Sequence, residues 1–233
     1  MKLKHLVILI ALIVIADQSL KIWIKTTFLY GEERNVLGTW FRLNFIENEG
    51  MAYGWKFGGA WGKLALTIFR LGAVIFGTWY LGRIVKKGYH KGFIICAGLI
   101  YAGALGNLID SLFYGIIFDK GMFIEPISMT QIGYDGLAKF SSKGYASVLH
   151  GNVVDMLYFP IIQNKTLPNW VPVWGGERFT FFSAIFNIAD ASISIGVITL
   201  LLFQRKLFKH HLPEETVPSI ETNTTVTDKT QVS

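Results

Sequence analysis

"LVILIALIVIADQSLKIWIKTTF", residues 6–28, runs unbroken in apolar residues from Leu6 to Ala16 before it meets Asp17 and Lys21. A bilayer's hydrocarbon core is crossed by about 20 mostly apolar residues in a helix. A helix on the surface of a soluble domain would show a polar face over this length, and this one shows none. Three further windows read the same way: 64–85, 93–118 and 181–203. Composition agrees. The 233 residues are 52% hydrophobic and 16% charged, with a mean hydropathy of +0.41, against about 25% charged in soluble domains. The expected fold class is an α-helical polytopic membrane protein with four transmembrane helices.

Basic residues set the expected orientation. Lys2 and Lys4 precede the first window; Arg83, Lys86, Lys87 and Lys91 lie between the second and third; Arg205, Lys206 and Lys209 follow the fourth. The positive-inside rule makes both termini cytoplasmic and turns segments 29–63 and 119–180 outward. The net charge of +6 and pI near 9.3 then reflect topology, and no basic patch interleaved with stacking aromatics calls for a nucleic-acid partner. The N-terminus has the basic start and apolar core of a signal peptide but no small-x-small cleavage site, so it reads as a permanent span. Cys96, the single cysteine, allows neither a disulfide framework nor a cysteine-ligated metal site and reads as a small buried hydrophobe.

The chain divides into a four-span membrane domain (1–211) and a cytoplasmic tail (212–233) that has no aromatic residue and reads as disordered. In the first outer segment, Phe41, Leu43 and Phe45 alternate with Arg42 and Asn44, the period-two pattern of a half-buried strand. Trp55, Phe57 and Trp61 follow among glycines and suit the interfacial aromatic belt. A small outer β-sheet cradle on the membrane surface is expected. The second outer segment, about 60 residues, is too long for a plain connection and holds one apolar block, "VLHGNVVDMLYFP" (148–160).

Polar residues inside the windows carry the functional signal. Asp17 and Lys21 are four apart, in the order that pairs best on a helix, and read as a structural ion pair or as substrate-facing groups. In "YAGALGNLIDSLFYG" (101–115), Ala102 and Gly106 form a small-xxx-small pair that admits a second helix closely. Gly103, Asn107 and Asp110 share one face, as interhelical glue or as the wall of a site. In "FNIADASISIG" (186–196), Asn187, Asp190 and Ser194 form a polar stripe, with Asp190 about ten residues into the fourth window. An intramembrane carboxylate is a functional-site hypothesis by default and requires a partner. Asp17 already has Lys21, which leaves Asp155, the other acid embedded in apolar sequence, placed to meet Asp190 just below the outer surface.

Two carboxylates in a poorly hydrated site share a proton, because desolvation and mutual repulsion raise one pKa. One then activates a water as general base while the other protonates a scissile carbonyl. No competing nucleophile or metal motif appears: there is no G-x-S-x-G or H-E-x-x-H, and His150 is the only histidine on the outer side. Neither a metal nor another cofactor is expected.

Five blocks, "DQSLK" (17–21), "NEGMAYG" (48–54), "AGALGNLID" (102–110), "VVD" (153–155) and "FNIAD" (186–190), closely resemble the lipoprotein signal peptidases, or signal peptidase II, in order and placement. The resemblance implies a four-span bacterial inner-membrane aspartic endopeptidase whose active site lies near the outer, periplasmic face. It removes signal peptides from prolipoproteins, cutting just before the diacylglyceryl-modified cysteine, and works among membrane lipids. It implies Asp155 and Asp190 as the catalytic pair. Asn48, Gly50, Gly103, Gly106, Asn107, Asp110, Asn187 and Ala189 match positions around the family's site, and Asp17 and Lys21 match its first-span motif. Asn187 and Asn48 would orient the acids or the substrate backbone, and the glycine face of span three would admit the signal helix.

Two departures stand out. The family follows the span-three aspartate with arginine where this chain has Ser111, so another group replaces that guanidinium or its task is dropped. Segments 119–152 and 156–189 are also extended. A different class, a proton-coupled transporter with intramembrane aspartates as a relay, would place its charges through the bilayer depth and often shows repeated halves. Here Asp155 lies outside the spans, and no repeat appears. A membrane assembly factor, with its polar residues serving only as helix glue, is the third reading.

Overall fold

The chain is described by a computed structural model covering residues 1–49, 59–125, 128, 130–166, 168, 170, 176, 178–181 and 183–207. Gly50, Trp55, Phe57 and the tail 212–233 lie outside the described residues. Four helices are long and apolar enough to cross a membrane. They are α1 (Leu3–Thr27), α2 (Gly59–Lys86), α3 (Lys91–Ile109) and α5 (Ile188–Leu207), with α3 continued by a π-helical turn (Asp110–Tyr114) and the short α4 (Gly115–Ile117).

The first three windows match their helices to within a few residues. The fourth does not: residues 181 and 183–187 are not helical, and α5 starts only at Ile188. Asp190 therefore sits in the first turn of its helix, not ten residues deep. Hydropathy could not separate the two states, because "FTFFSAIF" (179–186) is as apolar as a helix and as rich in aromatics as a strand.

Two apolar clusters mark opposite ends of the helix bundle. At the end carrying the basic residues, Leu6, Leu81, Ile84, Phe93, Ile94, Cys96 and Leu207 pack together. Cys96 is indeed buried, 3% exposed. At the other end, Ile24 and Phe28 of α1 and Tyr114 of the π turn meet Phe45, Val154 and Met156 of a sheet. That sheet is antiparallel, in the order β1 (Glu33–Leu37), β2 (Phe41–Asn48), β5 (Val153–Tyr158) and β8 (Ile185–Phe186). The expected strand over Phe41–Phe45 is thus present and continues to Asn48. Its central partner β5 comes from the apolar block of the second outer segment. A stack of aromatic rings, Trp40, Phe41, Phe159 and Phe186, crosses the sheet with centroids 4.6–6.2 Å apart. Two small ladders complete the outer part: β3 (Phe123–Ile124) with β4 (Gln131–Ile132), and β6 (Ile162–Thr166) with β7 (Arg178–Phe181).

The glycine face of α3 is filled from within the molecule. A Cβ on Gly103 would stand 2.2 Å from the Ala189 carbonyl oxygen, and one on Gly106 would stand 2.8 Å from Asp17 Oδ2. These glycines seat α5 and α1 against α3 and do not leave a groove for a signal helix. Since overpacking a close contact costs about 1–3 kcal/mol, Gly103→Val is expected to lower the thermal unfolding temperature in detergent by several degrees. Gly72→Ala, where nothing lies within 4 Å of the added carbon, should leave it unchanged or slightly raised.

Candidate active site

The centre of the site is Lys21, which is wholly buried. Its ammonium has three N–H donors and finds three acceptors: Asp17 Oδ2 at 2.9 Å, Asp110 Oδ2 at 2.8 Å and Asn107 Oδ1 at 2.9 Å. The expected Asp17–Lys21 pair is present as part of a larger clamp between α1 and α3. Each acceptor passes the constraint outward. Asp17 Oδ1 accepts the Ala189 backbone N–H at 2.9 Å, and Asp110 Oδ2 accepts that of Val154 at 3.3 Å. The amide of Asn107 donates to Asp190 Oδ1 at 2.7 Å. One cation thereby registers α5 and β5 against both helices.

Asn187 does two things with one amide. As the residue before α5, its Oδ1 accepts the Asp190 backbone N–H at 2.8 Å, an N-cap to the third residue of the helix. That bond fixes the orientation of the amide, so Nδ2 must face the other way. It meets Asp155 Oδ1 at 2.7 Å, Asn107 Oδ1 at 3.2 Å and the Val154 carbonyl at 3.3 Å. With Asp17 on the Ala189 N–H, two of the four unpaired amides at the start of α5 are satisfied by site residues. Ala189 is itself fully buried beneath Gly103 and Gly106.

Asp155 lies on β5 opposite Ile46, and Asn48 lies opposite Val153, so Asn48 and Asp155 are diagonal neighbours on one face of the sheet. The Asn48 side-chain amide donates to Asp155 Oδ2. Both carboxylate oxygens of Asp155 thus accept an asparagine N–H, while the group is only 2% exposed. Burial, and after it the charge of Asp190, pushes the Asp155 pKa well above the ordinary carboxylate range; Lys21 and the Asn187 amide pull against them. Asp190, on the first turn of α5, is more open. Asn107 and Asn187 thus join the two acids in one hydrogen-bonded chain.

Of the residues expected at the site, Asp17, Lys21, Asn48, Asn107, Asp110, Asp155, Asn187 and Asp190 are brought together, with Gly103, Gly106 and Ala189 as packing points beneath them. Several participants carried weaker sequence signals. Gln18, beside Asp17, donates to Asp110 Oδ1 at 2.8 Å and to the Gly106 carbonyl at 3.1 Å, and accepts from Tyr114 Oη at 3.2 Å. Arg70 of α2 donates to Ser111 Oγ at 3.2 Å. As an ionisable residue inside a span, Arg70 was detectable by the same rule that singled out Asp190. The π turn, which carries Asp110 and Ser111, had no signal in the sequence pattern. Such turns concentrate at functional sites.

A second buried network anchors the outer segment. Lys25 pairs with Glu47 of β2 and donates to the Lys120 carbonyl at 3.0 Å. Glu47 also accepts from the Met122 backbone N–H and the Asn152 side chain, both at 3.0 Å. Asn152 in turn accepts from Lys63 of α2. Among the described residues no cluster of His, Cys, Asp and Glu side chains is arranged to hold a metal ion.

Residues 9–206 match the family model described as Signal peptidase (SPase) II. The chain is 43% identical over 197 residues to the lipoprotein signal peptidase of Porphyromonas gingivalis, covering 83% of this chain and 80% of that protein. It is 33% identical over 197 residues to that of Amoebophilus asiaticus, covering 83% and 75%. Two solved bacterial membrane enzymes share the fold at 22% and 23% identity, with TM-scores of 0.53 and 0.54. They cover 90% and 88% of this chain, and 93% and 94% of theirs is covered in turn.

Removing one partner from a buried ion cluster strands the others and costs about 3–5 kcal/mol. Lys21→Met, which keeps the length and loses the charge, should therefore destabilise the fold by that order in thermal unfolding. Lys21→Arg should recover only part of the loss, because a planar fork cannot reproduce three bonds from one nitrogen.

Proposed function

The chain belongs to the signal peptidase II family, and from that premise we propose that it is an aspartic endopeptidase cutting prolipoproteins just before their diacylglyceryl-modified cysteine. Asp155 and Asp190 are the catalytic pair in this reading. The observation that carries it is the asparagine bridge: Asn107 holds Asp190, Asn187 holds Asp155, and both amides meet on the same buried chain as Lys21.

The two acids differ in surroundings, and the difference assigns their roles. Asp155, buried and raised in pKa, keeps the shared proton and acts as general acid. Asp190, nearer the opening, enters as carboxylate and general base. Water attacks the scissile carbonyl carbon while Asp190 takes its proton and Asp155 protonates the carbonyl oxygen. The tetrahedral diol then collapses: Asp190 delivers its proton to the leaving nitrogen, the C–N bond breaks, and Asp155 recovers a proton from the second hydroxyl. No covalent intermediate forms, and no metal is required. The sheet β1–β2–β5–β8 would receive the substrate backbone at the membrane surface, with both termini cytoplasmic and the site facing outward, in the inner membrane.

The test is cleavage of a diacylglyceryl prolipoprotein by the purified protein in lipid nanodiscs. Asp155→Asn and Asp190→Asn are each expected to lower turnover by a factor of about 10³ or more while the unfolding temperature stays near that of the parent. That magnitude follows from the loss of acid or base catalysis together with water activation. Near-normal turnover in either variant would exclude the pair.

The pH dependence has a definite sign. Because the folded pKa of Asp155 is raised, the protonated acid persists above the usual carboxylate range, and activity is lost on the alkaline side as the shared proton leaves. In Asp190→Asn the repulsion that helps raise Asp155 is gone, so Asp155 should titrate at lower pH in infrared difference spectra of its carboxyl stretch. An unchanged titration would show that the two acids do not interact.

A further inference from the structure

Arg70 is the only charged residue of α2 between Lys63 and Arg83, at a depth where an unpaired guanidinium is costly and a partner is required. Its Nη1 donates to Ser111 Oγ at 3.2 Å. That hydroxyl in turn donates to the Asn107 carbonyl at 3.0 Å, and the Asn107 side chain holds Asp190. The carboxylates whose charge bears on Arg70 are Asp190, Asp110 and Asp155. They reach it from three elements: α5, the π turn and β5.

The charges at the site require such a cation. Four carboxyl groups, those of Asp17, Asp110, Asp155 and Asp190, gather around the single ammonium of Lys21, which pairs directly with only the first two. Among the described residues Arg70 is the cation of α2 whose charge bears on Asp190 and Asp155; Lys25 pairs with Glu47 and reaches Asp110 alone of these acids, and Lys63 donates to Asn152. Without Arg70 the low-dielectric site would relieve its charge by binding a proton, and the group able to take it is the general base.

We propose that Arg70 is a positioning residue of the peptidase site, which braces the π turn through Ser111 and keeps one carboxylate of the Asp155–Asp190 pair ionised. The inference rests on the aspartate-pair reading. It accounts for Ser111 in the place where the family resemblance expects arginine: the guanidinium comes from the neighbouring helix, and a small hydroxyl leaves room for it.

The experiment is the pH profile of kcat/KM for diacylglyceryl prolipoprotein cleavage in nanodiscs. Removing a cation raises the proton affinity of the pair, so Arg70→Gln should move the acid limb up by about one unit, the lower end of the shift expected from one nearby opposite charge. Activity near that limb should fall about tenfold and recover at alkaline pH. Arg70→Lys should keep the limb near the parent position. Ser111→Ala, which cuts the hydrogen bond and leaves the charge, should lower kcat/KM without moving the limb. The double variant Arg70→Gln with Ser111→Arg should restore the parent profile by supplying the guanidinium from the π turn. If Arg70→Gln does not fold, Arg70→Lys and the double variant still decide the matter, since both keep a cation at the site. An acid limb unmoved in Arg70→Gln, or a double variant no better than Arg70→Gln alone, would overturn the inference. If Asp155→Asn and Asp190→Asn are both inactive while that limb stays put, only the role of Arg70 falls. If either aspartate variant stays active, the pair itself is wrong.

Discussion

A wholly buried ammonium whose three hydrogens all have acceptors is the constraint around which this molecule is built. Lys21 cannot be removed from water without compensation, because isolated charges in a low-dielectric interior cost several kcal/mol. Its compensation comes from Asp17, Asp110 and Asn107, and each of these is in turn tied to a further element. Asp17 takes a backbone amide of α5, Asp110 takes one of β5, and Asn107 takes an oxygen of Asp190. Helix packing by dispersion alone allows sliding, since lipid tails compete equally for apolar faces. The polar cluster removes that freedom, because only one register satisfies every donor. Gly103 and Gly106 then permit the approach that this register requires.

The site lies at a junction, where two helices finish, one begins and a sheet edge meets them. Such a place supplies unpaired backbone amides without breaking a helix, and the first turn of α5 uses them. Asn187 and Asp17 cap its amides. The sheet contributes what a helix bundle cannot. β5 presents Asp155 from a strand held on both sides by β2 and β8, and Asn48 reaches it diagonally from the neighbouring strand. The Lys25–Glu47–Asn152 network fastens this outer layer to α1 and to Met122, a second anchor beside the bond from Asp110 to the strand bearing Asp155.

Much of this was legible in the sequence, because a bilayer makes polar residues expensive and thus conspicuous. Three helices, the Asp17–Lys21 pair, the shared face of Asn107 with Asp110 and that of Asn187 with Asp190 followed from hydropathy and helical spacing, and the family resemblance joined the two faces. What failed has specific causes. The boundary of α5 was misplaced because its leading segment is apolar whether it is strand or helix. The glycines of α3 were expected to admit a substrate helix, yet Ala189 and Asp17 occupy that space. Lys25 and Glu47 went unread because they pair across 22 residues of sequence and through a strand, beyond any helical spacing rule. Asn152 and Met122 join through a loop whose register no local pattern encodes. Arg70 was visible as a charge in a span, but its link to Ser111, which stood out only as a departure from the family pattern, is made across two helices that no local spacing relates.

In the proposed aspartate-pair mechanism, the difference between the two aspartates is what gives the arrangement direction. A symmetric pair in equal surroundings would share a proton without direction, whereas here every contact separates the partners. Asp155 is enclosed by strand and sheet, with its two oxygens occupied by Asn48 and Asn187. Asp190 is bonded through Asn107 at one oxygen and stands at a helix N-terminus. Desolvation favours the neutral acid at Asp155, while Asp190 stands in the first turn of a helix that Asn187 caps. The same asparagine, Asn187, serves both effects: its oxygen starts the helix that carries one acid, and its nitrogen holds the other in place. Position 187 thus has to offer a donor and an acceptor on one short side chain. Aspartate there would keep the cap but lose the donor to Asp155 and place a third carboxyl group beside the pair.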